Sequence, residues 1–92
     1  MNEHGWMSDK PIRFSRHAAG QMIERGATEA DVIAAVRSGE RVAAKKDRVG
    51  CRKNFPFERT WGGRTYAIKQ VLAIVADDPN EIVVITVYTF YF

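Results

Sequence analysis

From residue 14 onward the chain changes hydrophobic rhythm once. Residues 14–38 space their apolar side chains three and four apart, whereas 64–76 and 81–89 are runs rich in β-branched residues. The first spacing predicts helices and the second strands. Ser15 is placed to cap a first helix and Gly26 to end it in a left-handed turn. At 100° per residue, Phe14, Ala18, Ala19, Met22 and Ile23 share one broad apolar face. Arg16, His17, Gly20 and Glu24 lie opposite, with Gln21 beside them and Arg25 at the edge of the apolar face. A glycine inside a helix costs roughly 1 kcal/mol relative to alanine, so Gly20 predicts close packing or access at that point. Thr28 caps a second helix with Asp31 as its capping-box partner, Val32, Ile33 and Val36 form its stripe, and Ser38-Gly39 ends it. The three-residue linker Gly26-Ala27-Thr28 allows only an angled corner.

The strand half begins with weaker signals. Residues 40–46 and 51–60 read as strands, the second interrupted by Pro56, which points to an edge or a bulge. Trp61-Gly62-Gly63-Arg64 is a hairpin turn, and Asp77–Asn80 joins the two confident strands. These elements predict an α+β domain over residues 12–92, after a lead-in at 1–11. Two N-terminal helices would pack on one face of a three- to four-stranded antiparallel sheet. The four-residue turn sets Ala76 opposite Glu81. In that register Ile68, Leu72, Ile74, Val83, Ile85 and Val87 lie under the helices. The open face then carries Lys69, Val71, Ala73, Ile82, Val84, Thr86 and Tyr88, with Lys69 directly across from Tyr88.

Composition places this pattern in an ordinary folded domain: 46% hydrophobic and 27% charged residues argue against wholesale disorder. The net charge is only +3, but its distribution is uneven. Residues 45–69 hold eight Lys/Arg against two acids, while the rest has six bases and nine acids. An anionic partner explains that asymmetry better than overall charge does, with a solvated basic surface as the plain alternative. Cys51 is the single cysteine, which rules out an internal disulfide. The first eleven residues lack the apolar core of a signal peptide, and no apolar run is long enough for a membrane helix. A cytoplasmic protein without membrane contact is expected.

Two histidines and one cysteine make no metal site, and Gly62-Gly63 belongs to a hairpin rather than a phosphate loop. No metal or other cofactor is expected. Cys51 with His17 would make a nucleophile–base pair, but their spacing does not support it. The residues instead suit metal-independent phosphodiester chemistry on RNA. An imidazole moves a proton near neutral pH, cations stabilise the charge that builds on the phosphate, and a phenol stacks on a base or places a proton. His17, Lys69 and Tyr88 are the expected catalytic residues, and Arg25, Arg64, Thr86, Arg52 and Lys53 the expected substrate contacts. A solvated, inert histidine is the plain alternative for His17. The aromatic tail Tyr88, Phe90, Tyr91 and Phe92 either packs on Trp61 and Phe57 or forms a strip for a partner chain.

The run His17…Met22-Ile23-Glu24-Arg25-Gly26-Ala27-Thr28-Glu29-Ala30-Asp31-Val32, then Gly39 and Ile82-Val83-Val84-Ile85-Thr86-Val87-Tyr88, resembles domain-of-unknown-function family 4258. That family is grouped with the RelE/ParE-like toxins of toxin–antitoxin systems. The resemblance spans roughly residues 13–89. It implies a compact sheet packed by N-terminal helices, ribonuclease activity, RNA as substrate and an antitoxin-like partner protein. It carries a site role to His17, Arg25, Thr86 and Tyr88, whereas Lys69 and Arg64 come from register and charge. The alternative is a non-catalytic, toxin-like binding module for nucleic acid or a protein, including ParE-like inhibition of gyrase. Oligomeric state stays open.

Overall fold

A computed structural model describes residues 10–45 and 47–92; the expected lead-in lies outside them except for Lys10 and Pro11. The order is β1 (Ile12–Phe14), α1 (Arg16–Arg25), α2 (Glu29–Ser38), β2 (Glu40–Val42), β3 (Val49–Trp61), β4 (Arg64–Asp77) and β5 (Ile82–Tyr91). The strands form one sheet in the order β1-β5-β4-β3-β2. Among the described residues no helix is long and apolar enough to cross a membrane.

The expected three- to four-stranded antiparallel sheet is therefore corrected to a five-stranded mixed one, still α+β. The added strand is β1, which pairs in parallel with β5 through Ile12↔Ile82 and Phe14↔Val84. Three residues are too few to show a period-two pattern, and a parallel partner 70 residues away leaves no local signal. The expected strand at 40–46 shortens to β2.

Both helices start and stop where the capping chemistry requires. The Ser15 hydroxyl accepts from Ala18 N at 3.0 Å, and Gly26 sits at φ 77°. Thr28 and Asp31 complete a reciprocal capping box. Gly26 is close-packed as well as left-handed: an added Cβ would lie 2.6 Å from the Tyr91 hydroxyl and 2.7 Å from the Trp61 ring.

The buried helical residues are Ala18, Gln21, Met22, Val32, Ala35 and Val36. This rotates α1 away from its expected face, leaving Ala19 exposed and Ile23 83% exposed. Ile33 likewise drops out of the α2 stripe at 37% exposure. The cause is the free edge of β5. The Gln21 side chain accepts from Val87 N at 2.8 Å, Arg25 donates to Val87 O at 2.7 Å, and the Ser15 hydroxyl donates to Ile85 O. A polar stripe of α1 thus occupies the backbone groups of β5 beyond β1, where an open edge would otherwise invite another strand. Gly20, expected to mark close packing, is exposed, and an added Cβ there meets nothing within 4 Å.

Two bulges decide the faces of the sheet. One lies between Pro56 and Arg59 in β3, as Pro56 foreshadowed, with Glu58 at φ 50°. The other falls between Ile74 and Val75 and leaves Ile85 without a direct partner. Below it Asp77 pairs with Ile82, and above it Leu72 pairs with Tyr88 and Lys69 with Tyr91. The register differs from the expected one by three beyond the bulge, an odd shift that turns Tyr88 to the other side of β5 relative to Lys69.

The covered face inverts along β4 and in β5 before the bulge, while beyond it Val87 stays covered and Thr86 and Tyr88 stay on the open face, as expected. Val71, Ala73, Val75, Ile82, Val84 and Val87 are buried with Cys51 under the helices. Ile68, Leu72 and Ile74 are only half-buried on the open side. The helices and the corner between them also present small residues to the sheet, Ala18, Ala27 and Ala35, so the layers approach closely.

Candidate functional site

Three polar side chains on the covered face, Lys69, Thr89 and Tyr91, serve the helix corner. Helix ends leave carbonyls without intrahelical partners. Arg25 O accepts from the Thr89 hydroxyl at 2.8 Å and from the Tyr91 phenol at 2.7 Å. Lys69 donates to Gly26 O at 3.0 Å and to Asp31 Oδ2 at 2.6 Å. Burial alone would raise the Asp31 carboxyl, but the bonds from Lys69 and Thr28 and the lysine charge prevail and hold it below its ordinary value. Burial raises the Tyr91 phenol, whose ring stacks on Trp61 at 5.1 Å and meets Phe57 at 5.2 Å. Of the aromatic tail, Tyr91 takes the internal packing. Lys69 is thus 5% exposed and engaged, on the face opposite Tyr88. The expected Lys69–Tyr88 juxtaposition is corrected by this register.

The open face reads as a grid of paired positions. Thr86 lies beside Ile74 and Gly50, Tyr88 beside Leu72 and Arg52, and Phe90 beside Gln70 and Asn54. Phe92 exchanges both backbone hydrogen bonds with Ile68, which pairs with Pro56. The loop after β2 returns over this face. Lys45 and Arg48 line a cavity of about 360 Å³ together with Ala44, Ile74, Ile85, Thr86 and Tyr88. The cavity has an apolar floor and a basic rim.

Arg25 reaches this region from the helix side. Its guanidinium stands 5.2 Å from the centre of the Tyr88 ring, an attractive cation–π distance. One of its five N–H groups goes to Val87 O. His17 occupies the same stripe as Gln21 and Arg25, at positions i, i+4 and i+8. The stripe follows β5, since Ser15 bonds to Ile85 and Gln21 to Val87. Helix rise puts His17 about 6 Å before Gln21 along the axis, on the flank of α1 that Gln21 turns to β5. Its ring is exposed, and it forms no hydrogen bond or ion pair with the described residues.

Of the other expected contacts only Arg52 shares the face and row of Tyr88. Arg52 is on the open face, beside Leu72, and held by Glu40 at 2.8 Å. Lys53 pairs with buried Val71 and borders a polar depression with Ser38 and Gly39 near the end of α2. Arg64 sits at the β3–β4 hairpin opposite Trp61, on the order of 30 Å from Ile74 along β4 by strand rise. The structure therefore brings Arg25 to Tyr88 and Tyr88 to Thr86, keeps Lys69, Lys53 and Arg64 apart from them, and leaves His17 on the neighbouring flank of α1 without a contact to the cavity. Sequence reasoning missed Lys45 and Arg48 as individual site residues. Their signal was the basic excess of the segment, but a loop's fold-back over a sheet has no periodicity to read.

The cations Arg25, Lys45 and Arg48 around Tyr88 and the cavity it lines can bind an anion, and the imidazole on the neighbouring helix flank is a group able to move a proton. Among the described residues no group of three or more His, Cys, Asp and Glu gathers as a metal site would require. Burial raises the Cys51 thiol, which opposes thiolate formation. Neither the curated proteins nor the solved structures compared with this chain give a match. The family model described as Domain of unknown function (DUF4258) matches residues 14–89, and the chain belongs to that family.

Proposed function

We propose that this chain is a toxin-like, metal-independent RNA endonuclease that works on the open face of its sheet. One observation supports the reading above the rest. The cavity of Lys45, Arg48, Thr86 and Tyr88 adjoins Arg25 through the Tyr88 ring, and His17 lies about two turns before Arg25 on the same flank of α1. His17 takes the proton from a ribose 2′-hydroxyl, whose oxygen attacks the adjacent phosphorus. The bond to the 5′-oxygen breaks, leaving a cyclic phosphate, and the Tyr88 phenol donates a proton to the departing oxygen. Arg25, Lys45 and Arg48 offset the charge on the non-bridging oxygens, and Thr86 positions the phosphate by hydrogen bonding. An antitoxin-like partner and a cytoplasmic setting belong to the same proposal.

The test is incubation of purified protein with single-stranded RNA in EDTA. Cleavage is expected, with His17→Ala slowing it about a hundredfold or more while RNA affinity stays within about threefold. Cleavage unchanged by His17→Ala removes the histidine from the mechanism.

A second reading, a toxin-like binding module without catalysis, is favoured because among the described residues no carboxylate orients the His17 ring. It predicts intact RNA and salt-sensitive binding that survives His17→Ala. Inhibition of gyrase supercoiling without RNA loss would direct that module to a protein target.

A further inference from the structure

The β-strand pleat divides the aromatic tail. Tyr91 turns inward to Trp61, Phe57 and Tyr66, whereas Tyr88, Phe90 and Phe92 turn outward and are 40%, 47% and 57% exposed. The three outward rings occupy successive same-face positions of one extended segment, in line with Leu72, Gln70 and Ile68 of β4. Rings exposed in this order need an occupant, since covering apolar surface is favourable.

Resting on the RNA reading above, we propose that Tyr88, Phe90 and Phe92 form a stacking ladder for a single RNA strand, carrying its bases away from the cavity along β5. Spacing favours a single strand. Two residues of β-strand advance about 6.8 Å, twice the roughly 3.4 Å rise of bases in a stacked helix. Bases that follow the rings must therefore be unstacked, the condition in which single-stranded RNA is read on aromatic platforms.

Charge agrees with this occupant. Arg25 lies at the Tyr88 end of the ladder, and Lys45 and Arg48 rim the adjoining cavity. The β3 and β4 residues beside rows 86 to 92 are Gly50, Arg52, Asn54 and Pro56, and Ile74, Leu72, Gln70 and Ile68. None of them is a carboxylate. Glu40, in the neighbouring strand, is neutralised by Arg52. A backbone tracking the ladder thus meets cations at its origin and no uncompensated acid within these rows, Asp47 and Glu58 lying at either end beyond them. The amide groups of Gln70 and Asn54 bond to each other at 2.8 Å and offer hydrogen-bonding capacity beside Phe90. Stacking on a ring tolerates any base, so the ladder supplies affinity and direction with little sequence preference.

The experiment measures binding of a ten-nucleotide 2′-O-methyl RNA, which cannot be cut, by fluorescence anisotropy, as a single strand and as a duplex. The wild type is expected to bind the single strand at least tenfold more tightly than the duplex. Phe90→Ala combined with Phe92→Ala should lose about tenfold per ring, and Phe90→Tyr with Phe92→Tyr should restore affinity to within about threefold. Because both rings are exposed, thermal melting of the alanine variant should match the wild type. An unchanged affinity in the alanine variant overturns the ladder while leaving the nuclease reading intact, provided wild-type protein still cuts RNA. Loss of self-association or of protein binding in that variant, with RNA affinity unchanged, reassigns the strip to a protein partner. If wild-type protein neither binds nor cuts any RNA, the ladder and the nuclease reading fail together.

Discussion

The two faces of the β4–β5 pair contrast in a way that side-chain size does not predict. The covered face holds the smaller residues, Val71, Ala73, Val75, Val84 and Val87, together with Lys69, Thr89 and Tyr91. The open face holds the larger ones, Ile68, Leu72, Ile74, Tyr88, Phe90 and Phe92. Every polar group on the covered face has a specific partner: Lys69 holds Asp31 and Gly26 O, and the hydroxyls of Thr89 and Tyr91 hold Arg25 O. On the open face Lys45 makes no side-chain bond with the described residues, Arg25 spends one donor on the backbone, and the rings stay exposed. A lysine in the first setting maintains the fold. A cation in the second is free to bind a ligand.

The largest expected effect comes from breaking the covered side of this contrast. Lys69→Ala leaves Asp31 charged and without its lysine, with only 17% of its side chain exposed. Breaking a fully buried pair costs about 3–5 kcal/mol; the partial exposure of Asp31 brings the expectation to about 2–3 kcal/mol, read by urea denaturation. The matching change on the open face, Arg52→Ala, removes an exposed pair and should cost under about 1 kcal/mol. Equal losses would erase the distinction between the faces.

Gly26→Ala should follow at about 2 kcal/mol, from left-handed backbone strain and the clash with Tyr91 and Trp61. Its melting temperature should fall well below that of the exposed-ring variants.

Acid titration sharpens the same comparison. The folded-state pKa of Asp31 lies below its unfolded value. Its contribution is therefore fully present above the unfolded value, near pH 4, and is lost as pH falls through the folded value. Urea midpoints between pH 6 and pH 2 should decline in the wild type, and Asp31→Asn should be less stable at pH 6 with a shallower decline.

The smallest effect is a gain. Gly20→Ala, in open space on α1, should stabilise by about 0.5–1 kcal/mol with RNA affinity unchanged.

Local chemistry was legible residue by residue. Ser15, Gly26, Thr28 with Asp31, and Gly39 mark the helix ends because capping involves groups within three or four residues of one another. The Gly62-Gly63 hairpin was equally plain, with φ values of 59° and 85°. The face of α1 was not legible, because Gln21 is buried by a bond to Val87, 66 residues away. Nor was the covered face of β4, whose residues 71–76 are apolar on both sides. A better signal lay in β3, where Val49, Cys51 and Phe55, interrupted by Lys53, alternate with Gly50, Arg52 and Asn54. Carried through the bulge near Pro56, that alternation puts Cys51 opposite Ala73 and turns Ala73 inward.

Sequence alone determined the helical pair, its corner, the two long C-terminal strands, the basic segment and the motif that marks the family. All of these follow from neighbours in the chain. Tertiary structure alone decided which face is open, and so which of the expected site residues meet. A single extra residue at Ile85 separates Tyr88 from Lys69, because side chains alternate with period two and one inserted residue reverses every later position. The parallel pairing of β1 and the fold-back of Lys45 and Arg48 were decided at the same level, by contacts between segments too distant in the chain to leave a local pattern.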